Sequence, residues 1–327
     1  MLLRINKFYT VFKYVLIFIQ TVLEHKLFIK RKKITVFLYH EISDTPTEFS
    51  KSYGLCVSNV VFRKQVEWIR KNFTIIHPLD LINSNKIPSN AALITFDDGF
   101  RGAYHNGISY LIKNKIPSLM FLNMGCILDN TPLESALACY YSSSSLENMF
   151  NYFPDQDPSN KNPLHLFITP DMMKRYLTKY GDSEYKNIKI YQGELASFGE
   201  INSFIDSDFH LIGNHLYQHW NAEALSDAEF IYMFKKNRKL ISDSECIIDF
   251  FAFPNGQPDT CFSQRHLSLL KELGVKKIFY SSGGANNDSS ELLLNRTAMF
   301  ESDNTNLKLW KRIVNANRIA NKHQYYI

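Results

Sequence analysis

Two adjacent carboxylates, Asp97 and Asp98, close the apolar stretch Ala91-Ala92-Leu93-Ile94-Thr95-Phe96 and are followed by Gly99. Neighbouring residues on a strand point to opposite faces, but a strand that ends in a Gly-containing turn can aim both side chains into one cleft. Two like charges that close repel, and burial adds a desolvation cost, so the pair calls for a shared proton or a bound cation. The chemistry this suggests is one carboxylate holding a metal while the other acts as a base. The plainer alternative is a helix N-cap, for which one Asp would suffice. His215 and His219 follow the apolar piece His210-Leu211-Ile212 and supply further ligands. At i and i+4, two imidazoles share one face of a helical turn with Cβ atoms about 5–6 Å apart, which suits a single ion. One Asp and two His leave open positions on a divalent cation, as catalytic rather than structural sites do.

These residues carry a family resemblance. Thr95-Phe96-Asp97-Asp98-Gly99 matches in full the first motif of the polysaccharide deacetylase family (carbohydrate esterase family 4). The second motif is matched at His215 and His219, with Leu216 where the family usually has a hydroxyl residue. Further similarity runs through Leu38-Tyr39-His40-Glu41-Ile42-Ser43, Phe251-Ala252-Phe253-Pro254-Asn255-Gly256 and Leu293-Leu294-Asn295-Arg296, in the expected order and across roughly residues 34–300. The resemblance implies an α/β fold, a distorted (β/α) barrel of the polysaccharide deacetylase type. It also implies metal-dependent hydrolysis of N-acetyl groups from amino-sugar-containing polysaccharides or glycans. Asp97 then resembles the general base, and Asp98, His215 and His219 resemble the metal ligands. A cation polarises the amide carbonyl and acidifies water, while a free carboxylate beside it collects the proton. Zinc is the default divalent metal for two His and one Asp; cobalt, nickel or iron would fit the same ligands.

Two departures from the family bear on mechanism. Many members carry an Arg in the third motif that tethers the base, and here that position is Ala252. Arg296 is the candidate replacement, or else the member of a structural ion pair. The late Leu-His motif that supplies the general acid is absent, and His40 is the candidate for that role. Its alternative is a hydrogen-bonded core histidine at the end of Thr35-Val36-Phe37-Leu38-Tyr39. The departures also keep open a second function, a catalytically impaired glycan-binding or membrane-surface scaffold of the same fold. Hydrolysis of a non-sugar amide is a weaker enzymatic alternative. Retention of Asp97, Asp98, His215 and His219 favours deacetylation.

The elements that must position these residues alternate between strand and helix. Phe62 to Lys71 has Phe62, Val66 and Ile69 at helical spacing and leads into the strand Phe73–Ile76. Asn106–Lys113 reads as a helix and Ile116–Leu122 as a strand. Gln264–Leu273 reads as a helix stopped at Gly274, with a strand over Val275–Tyr280. Such alternation predicts a parallel sheet or barrel, with the site at the C-terminal ends of the strands. Residues 34–327 are assigned to one catalytic domain with an insertion at about 128–196, polar in places and helical around Met172–Tyr180. The insertion either decorates the mouth of the site or is a spacer.

Composition sets bounds without choosing a function. The chain has 327 residues and a net charge of +5, and no interleaved basic and aromatic pattern points to nucleic acid. The 25 Phe and 18 Tyr suit a carbohydrate-facing cleft or plain core packing equally. Five scattered cysteines, none at CxxC spacing, indicate neither a disulfide framework nor a zinc knuckle. Residues 1–33 form an apolar and basic N-terminal segment. Its run over residues 8–23 is interrupted by Lys13 and Gln20 and is short for a spanning helix. No small-residue cleavage site follows it. An interfacial or core-docking helix with a peripheral membrane contact is expected, and a cytoplasmic or membrane-associated location over a secreted one.

Overall fold

Strands that are apolar at nearly every position need cover on both faces, and the chain provides it by closing its strands into a ring. The computed structural model describes residues 33–83, 87–144, 169–204, 208–242 and 246–319, together with 12, 15, 16 and 19. Seven parallel strands form the barrel: β1 (Lys33–Tyr39), β2 (Asn90–Asp97), β3 (Ser118–Leu122), β4 (His210–Asn214), β5 (Ile247–Ala252), β6 (Lys277–Tyr280) and β7 (Leu293–Ala298). Each pairs with the next, and β1 pairs with both β2 and β7, which closes the ring. Thr74–Ile75 pairs with the start of β2 outside the ring, and Glu41–Ile42 pairs with Cys56–Val57 as a separate small sheet.

The two faces of the strands bury different residues. Ile34, Val36, Ala91, Leu93, Leu119, Phe121, Ile248, Phe250, Ala252, Phe279 and Leu294 form one cluster that fills the barrel. Along each strand these positions alternate with others, such as Phe37, Tyr39, Ala92, Ile94, Phe96 and Met120, that pack outward against the helical layer. Gly213 has the inward parity of β4, and a Cβ there would lie 2.6 Å from the Phe121 ring and 3.1 Å from the Phe250 carbonyl oxygen. A residue without a side chain makes room for Phe121 in the barrel interior.

Outside the ring lie α1 (Asn59–Asn72), α2 (Glu134–Ser144), α3 (Pro170–Gln192), α4 (Asp227–Ile241), α5 (Gln264–Glu272) and α6 (Asn306–Ile319). The apolar stripes of α1, α4 and α5 face inward: Phe62, Val66 and Ile69 of α1, Phe230 and Phe234 of α4, and Leu267 and Leu270 of α5 are all buried. Ser226 and Glu229 form a reciprocal capping box that starts α4. The expected strand–helix alternation is present throughout this region, with boundaries moved by a few residues. Asn106 to Lys113 is helical, entered through a π-helical turn at Ala103–Ile108.

Among the described residues the insertion contributes two helices, α2 and the long α3; residues 145–168 lie outside them. The N-terminal segment also lies mostly outside them. Its described residues Phe12, Val15, Leu16 and Ile19 are helical and exposed, and they give no support to the expected membrane contact. Among the described residues, no helix is long and apolar enough to cross a membrane. All five cysteines are buried, and none forms a disulfide among the described residues.

Candidate active site

Strand parity and register bring the candidate residues to one end of the barrel. Asp97 has the inward parity of Ala91 and Leu93, Arg296 that of Leu294, and His40, just past β1, that of Ile34 and Val36. Tyr39 is level with Phe96, so the residues after them, His40 and Asp97, sit at the same height on neighbouring strands. The C-terminal ends of these strands form the mouth, where barrels of this kind place their chemistry.

The turn after β2 aims the second carboxylate at the same point. Asp98 adopts a left-handed backbone, φ 71°, and Gly99 follows at φ 79°. Asp tolerates this conformation better than most residues, and Gly has no Cβ to oppose it. Asp97 and Asp98 are each 3% exposed. The Arg296 guanidinium, 1% exposed, donates to both oxygens of Asp97: Nη1 to Oδ1 at 2.6 Å and Nη2 to Oδ2 at 2.7 Å. Its Cζ lies 5.5 Å from the centroid of the Phe121 ring. The position left as Ala252 by sequence is thus served, across the barrel, by an arginine on β7.

His215 and His219 lie on an irregular loop after β4, which corrects the expected helical turn. Leu216 takes a left-handed φ of 64° immediately after His215, which breaks any helical path. Three buried asparagines hold the loop in this shape. Asn214 Oδ1 accepts from Leu216 N at 2.9 Å and from Asn237 Nδ2 at 2.8 Å. Asn237 Nδ2 also donates to Leu122 O at 2.8 Å, and Asn123 Nδ2 donates to the carbonyls of His215 and Leu216. Polar side chains outside the loop thereby satisfy its backbone, and Leu216, fully buried, packs into the apolar layer behind it.

Both imidazoles are oriented by their Nδ1 atoms. His215 Nδ1 lies 2.8 Å from the Ala252 carbonyl oxygen, and His219 Nδ1 lies 3.1 Å from each oxygen of Glu134. A carbonyl or carboxylate oxygen only accepts, so each Nδ1 carries the hydrogen and each Nε2 is left to face the cleft. There the Nε2 atoms meet Asp98 Oδ1, at 3.5 Å from His215 and 3.2 Å from His219. Asp98 Oδ1 is buried and makes no hydrogen bond, and one ligand atom from each of the three residues lies within 4.8 Å of the others. An ionised oxygen and two lone pairs converging on one buried point fit a divalent cation.

The electrostatics fit the same description. Burial pushes the Asp98 carboxyl up, but His219, His215 and His40 outweigh it and hold it well below the usual carboxylate range. Burial likewise opposes ionisation of Asp97, and Arg296, followed by His215, brings it below its ordinary value. Burial works against charge on His219, yet Glu134 and Asp98 on either side push its pKa up to about 9. A positive charge is therefore favoured at this point, and a cation can replace the proton. For His40 burial wins: its pKa is lowered despite the pull of Asp98 and Asp97, and Arg296 and His215 add to the lowering. His40 is half-buried, whereas Asp97, Asp98, His215, His219 and Arg296 are all buried.

Glu134, 3% exposed, is the site residue that sequence reasoning missed. It stands in no motif, and its one signal is a lone acid inside the otherwise uncharged run Leu133-Glu134-Ser135-Ala136-Leu137. It reaches the cleft because the insertion is fastened there. Phe100 and Leu195 form an antiparallel bridge, Arg101 N donates to Glu194 O at 2.9 Å, and Ala196 N donates to Gly99 O at 2.9 Å.

No family model and no curated protein matches the chain. Solved structures do share its fold. The Streptococcus pyogenes deacetylase PplD, in complex with acetate, aligns at a TM-score of 0.55 and 15% identity, covering 83% of this chain and 94% of that one. IcaB from Ammonifex degensii gives a TM-score of 0.55 at 16% identity, covering 86% and 97%. A de-N-acetylase from Aggregatibacter actinomycetemcomitans gives 0.55 at 13% identity, covering 86% and 100%. The barrel is that of the polysaccharide deacetylases, the family that the sequence motifs resemble.

Proposed function

We propose that the chain is a metal-dependent hydrolase that removes N-acetyl groups from an amino-sugar-containing polysaccharide or glycan. The observation that carries this reading is the convergence of Asp98 Oδ1 and the Nε2 atoms of His215 and His219 beside a second, separately tethered carboxylate. Asp98, His215 and His219 would hold the ion, with zinc the default for this donor set. A bound divalent cation would polarise the amide carbonyl and acidify water.

The protein's own groups manage the protons. Asp97, kept ionised by Arg296, takes a proton from the attacking water as the new C–O bond forms. His40 donates a proton to the amine nitrogen as the C–N bond breaks, and the products are acetate and a free amine. An amide nitrogen leaves poorly as an anion, which is why an acid is needed on that side. His40 is the half-buried member of the group, and so the one best able to regain its proton from solvent. The low exposure of Asp97 keeps bulk water from competing for the base.

The reading is supported by the shared fold and by the likeness of the motifs. Structural neighbours that include a deacetylase and a de-N-acetylase make acetylated glycans the first substrates to try. The test is acetate release by the purified protein, with and without added zinc, over a panel of N-acetylated glycans and lipid-linked sugars. Zinc-dependent release from an amino sugar is the expected result. Metal uptake without acetate release from any of them would favour a glycan-binding scaffold instead.

A further inference from the structure

His215 and His219 are oriented in different ways. The partner of His215 Nδ1 is the backbone carbonyl of Ala252, which no side-chain replacement removes. The partner of His219 Nδ1 is the carboxylate of Glu134, contributed by the insertion rather than by the barrel. We infer that Glu134 is a positioning residue for the metal site, holding His219 so that Nε2 meets a cation shared with Asp98 and His215. The inference rests on the metal-dependent reading of the site.

The geometry supports it from both sides of the hydrogen bond. On the His219 side, the ring sits on an irregular loop, so no helix fixes its direction. Two carboxylate oxygens at 3.1 Å settle both the tautomer and the ring orientation. On the other side, Glu134 begins α2 and is itself braced. The preceding Leu133 N donates to Gln192 Oε1 at 2.6 Å, and Thr47 Oγ1 donates to Gln192 O at 2.9 Å. Asn255 Nδ2 donates to Glu134 Oε1 at 3.4 Å, linking the acid to the loop after β5. The insertion is therefore part of the site's construction, coupled to metal affinity through one side chain.

The test is zinc affinity of the full chain, measured by chelator competition for wild type, Glu134→Ala, Glu134→Gln, His219→Ala and the Glu134→Ala/His219→Ala pair, with thermal unfolding of each. Loss of such an outer partner typically weakens metal binding about 10–100-fold, and Glu134→Ala is expected to do so. Glu134→Gln keeps size and an accepting oxygen, so it should fall between Glu134→Ala and wild type. Because the acid acts through His219, the double variant should bind no more weakly than His219→Ala alone. Wild-type affinity in Glu134→Ala, or a further loss of similar size in the His219→Ala background, would overturn the role given to Glu134. If Glu134→Ala fails to fold, Glu134→Gln decides: wild-type affinity overturns the inference, and weakened zinc binding at an unchanged unfolding temperature supports it. A wild-type protein that binds no zinc would instead overturn the metal-dependent reading, and this inference with it.

Discussion

Arg296 grips Asp97 through two parallel hydrogen bonds that pass from β7 to β2 at the mouth of the barrel, both partners almost without exposure. A buried ion pair is expensive to desolvate and is no simple source of stability. Its value here is directional, because the planar fork fixes the plane of the carboxylate and keeps it ionised. Removing the arginine leaves Asp97 buried without its counter-charge. Arg296→Met should destabilise the fold by about 3–5 kcal/mol in denaturant titrations, the range for breaking one side of such a pair. The sign of the pH effect follows from the depressed pKa of Asp97. Its stabilisation is present above the unfolded carboxyl value and is lost as pH falls through the folded one. In Arg296→Met burial is no longer outweighed and raises the folded pKa of Asp97, so the variant's deficit against wild type should shrink as pH falls and the carboxyl takes up a proton; unfolding midpoints of both proteins measured from pH 3 to 7 would show it.

This pair also marks how far the sequence could be read. Asp97, Asp98, His215 and His219 are legible because each motif is short and ends an apolar strand. Arg296 lies 199 residues from Asp97, and spacing cannot pair them; only closure of the barrel puts β7 beside β1 and β1 beside β2. The loop carrying the histidines is the clearest misreading. An i, i+4 spacing is the same in a helix and in this loop, and the asparagines that decide between them come from three different segments. Glu134 was illegible for a related reason, since its partner lies 85 residues away. The strands and amphipathic helices were readable because their periodicity is local.

Metal uptake should depend on both histidines. His215→Ala and His219→Ala are each expected to bind zinc far more weakly than wild type and to lose activity with it, while keeping a wild-type far-UV circular dichroism spectrum, since the barrel core lies below them. Metal analysis showing full occupancy in both variants would remove the ligand assignment.

Base and ligand should separate on substitution. Asp97→Asn is expected to keep its metal, because the proposed ligand is Asp98, and to lose about 10²–10⁴ in turnover, the usual contribution of a general base. Steady-state rates alongside metal content check both halves. Wild-type kcat would take the base role away from Asp97.

His40 offers the sharpest chemical contrast. His40→Ala should reduce kcat strongly for an acetamide and spare an activated acetate ester, whose leaving group needs no proton. Burial lowers the His40 pKa from its ordinary 6.5, so the protonated acid of the free protein is depleted as pH rises through a value below 6.5. The alkaline limb of kcat/KM should therefore lie below pH 6.5 and vanish in the variant. Equal losses on amide and ester would identify a core histidine.

Leu216 sits in the left-handed region, at φ 64°, and such a conformation costs a residue with a Cβ roughly 1–2 kcal/mol. The loop's own sequence does not favour the shape it holds; Asn123, Asn214 and Asn237 impose it. It follows that the stretch from His215 to His219 is not a portable cassette. Excised as a peptide, or grafted onto another barrel without those three amides, it should relax and scatter its two imidazoles. A designer borrowing this centre would have to transplant the scaffolding asparagines first and the ligands second.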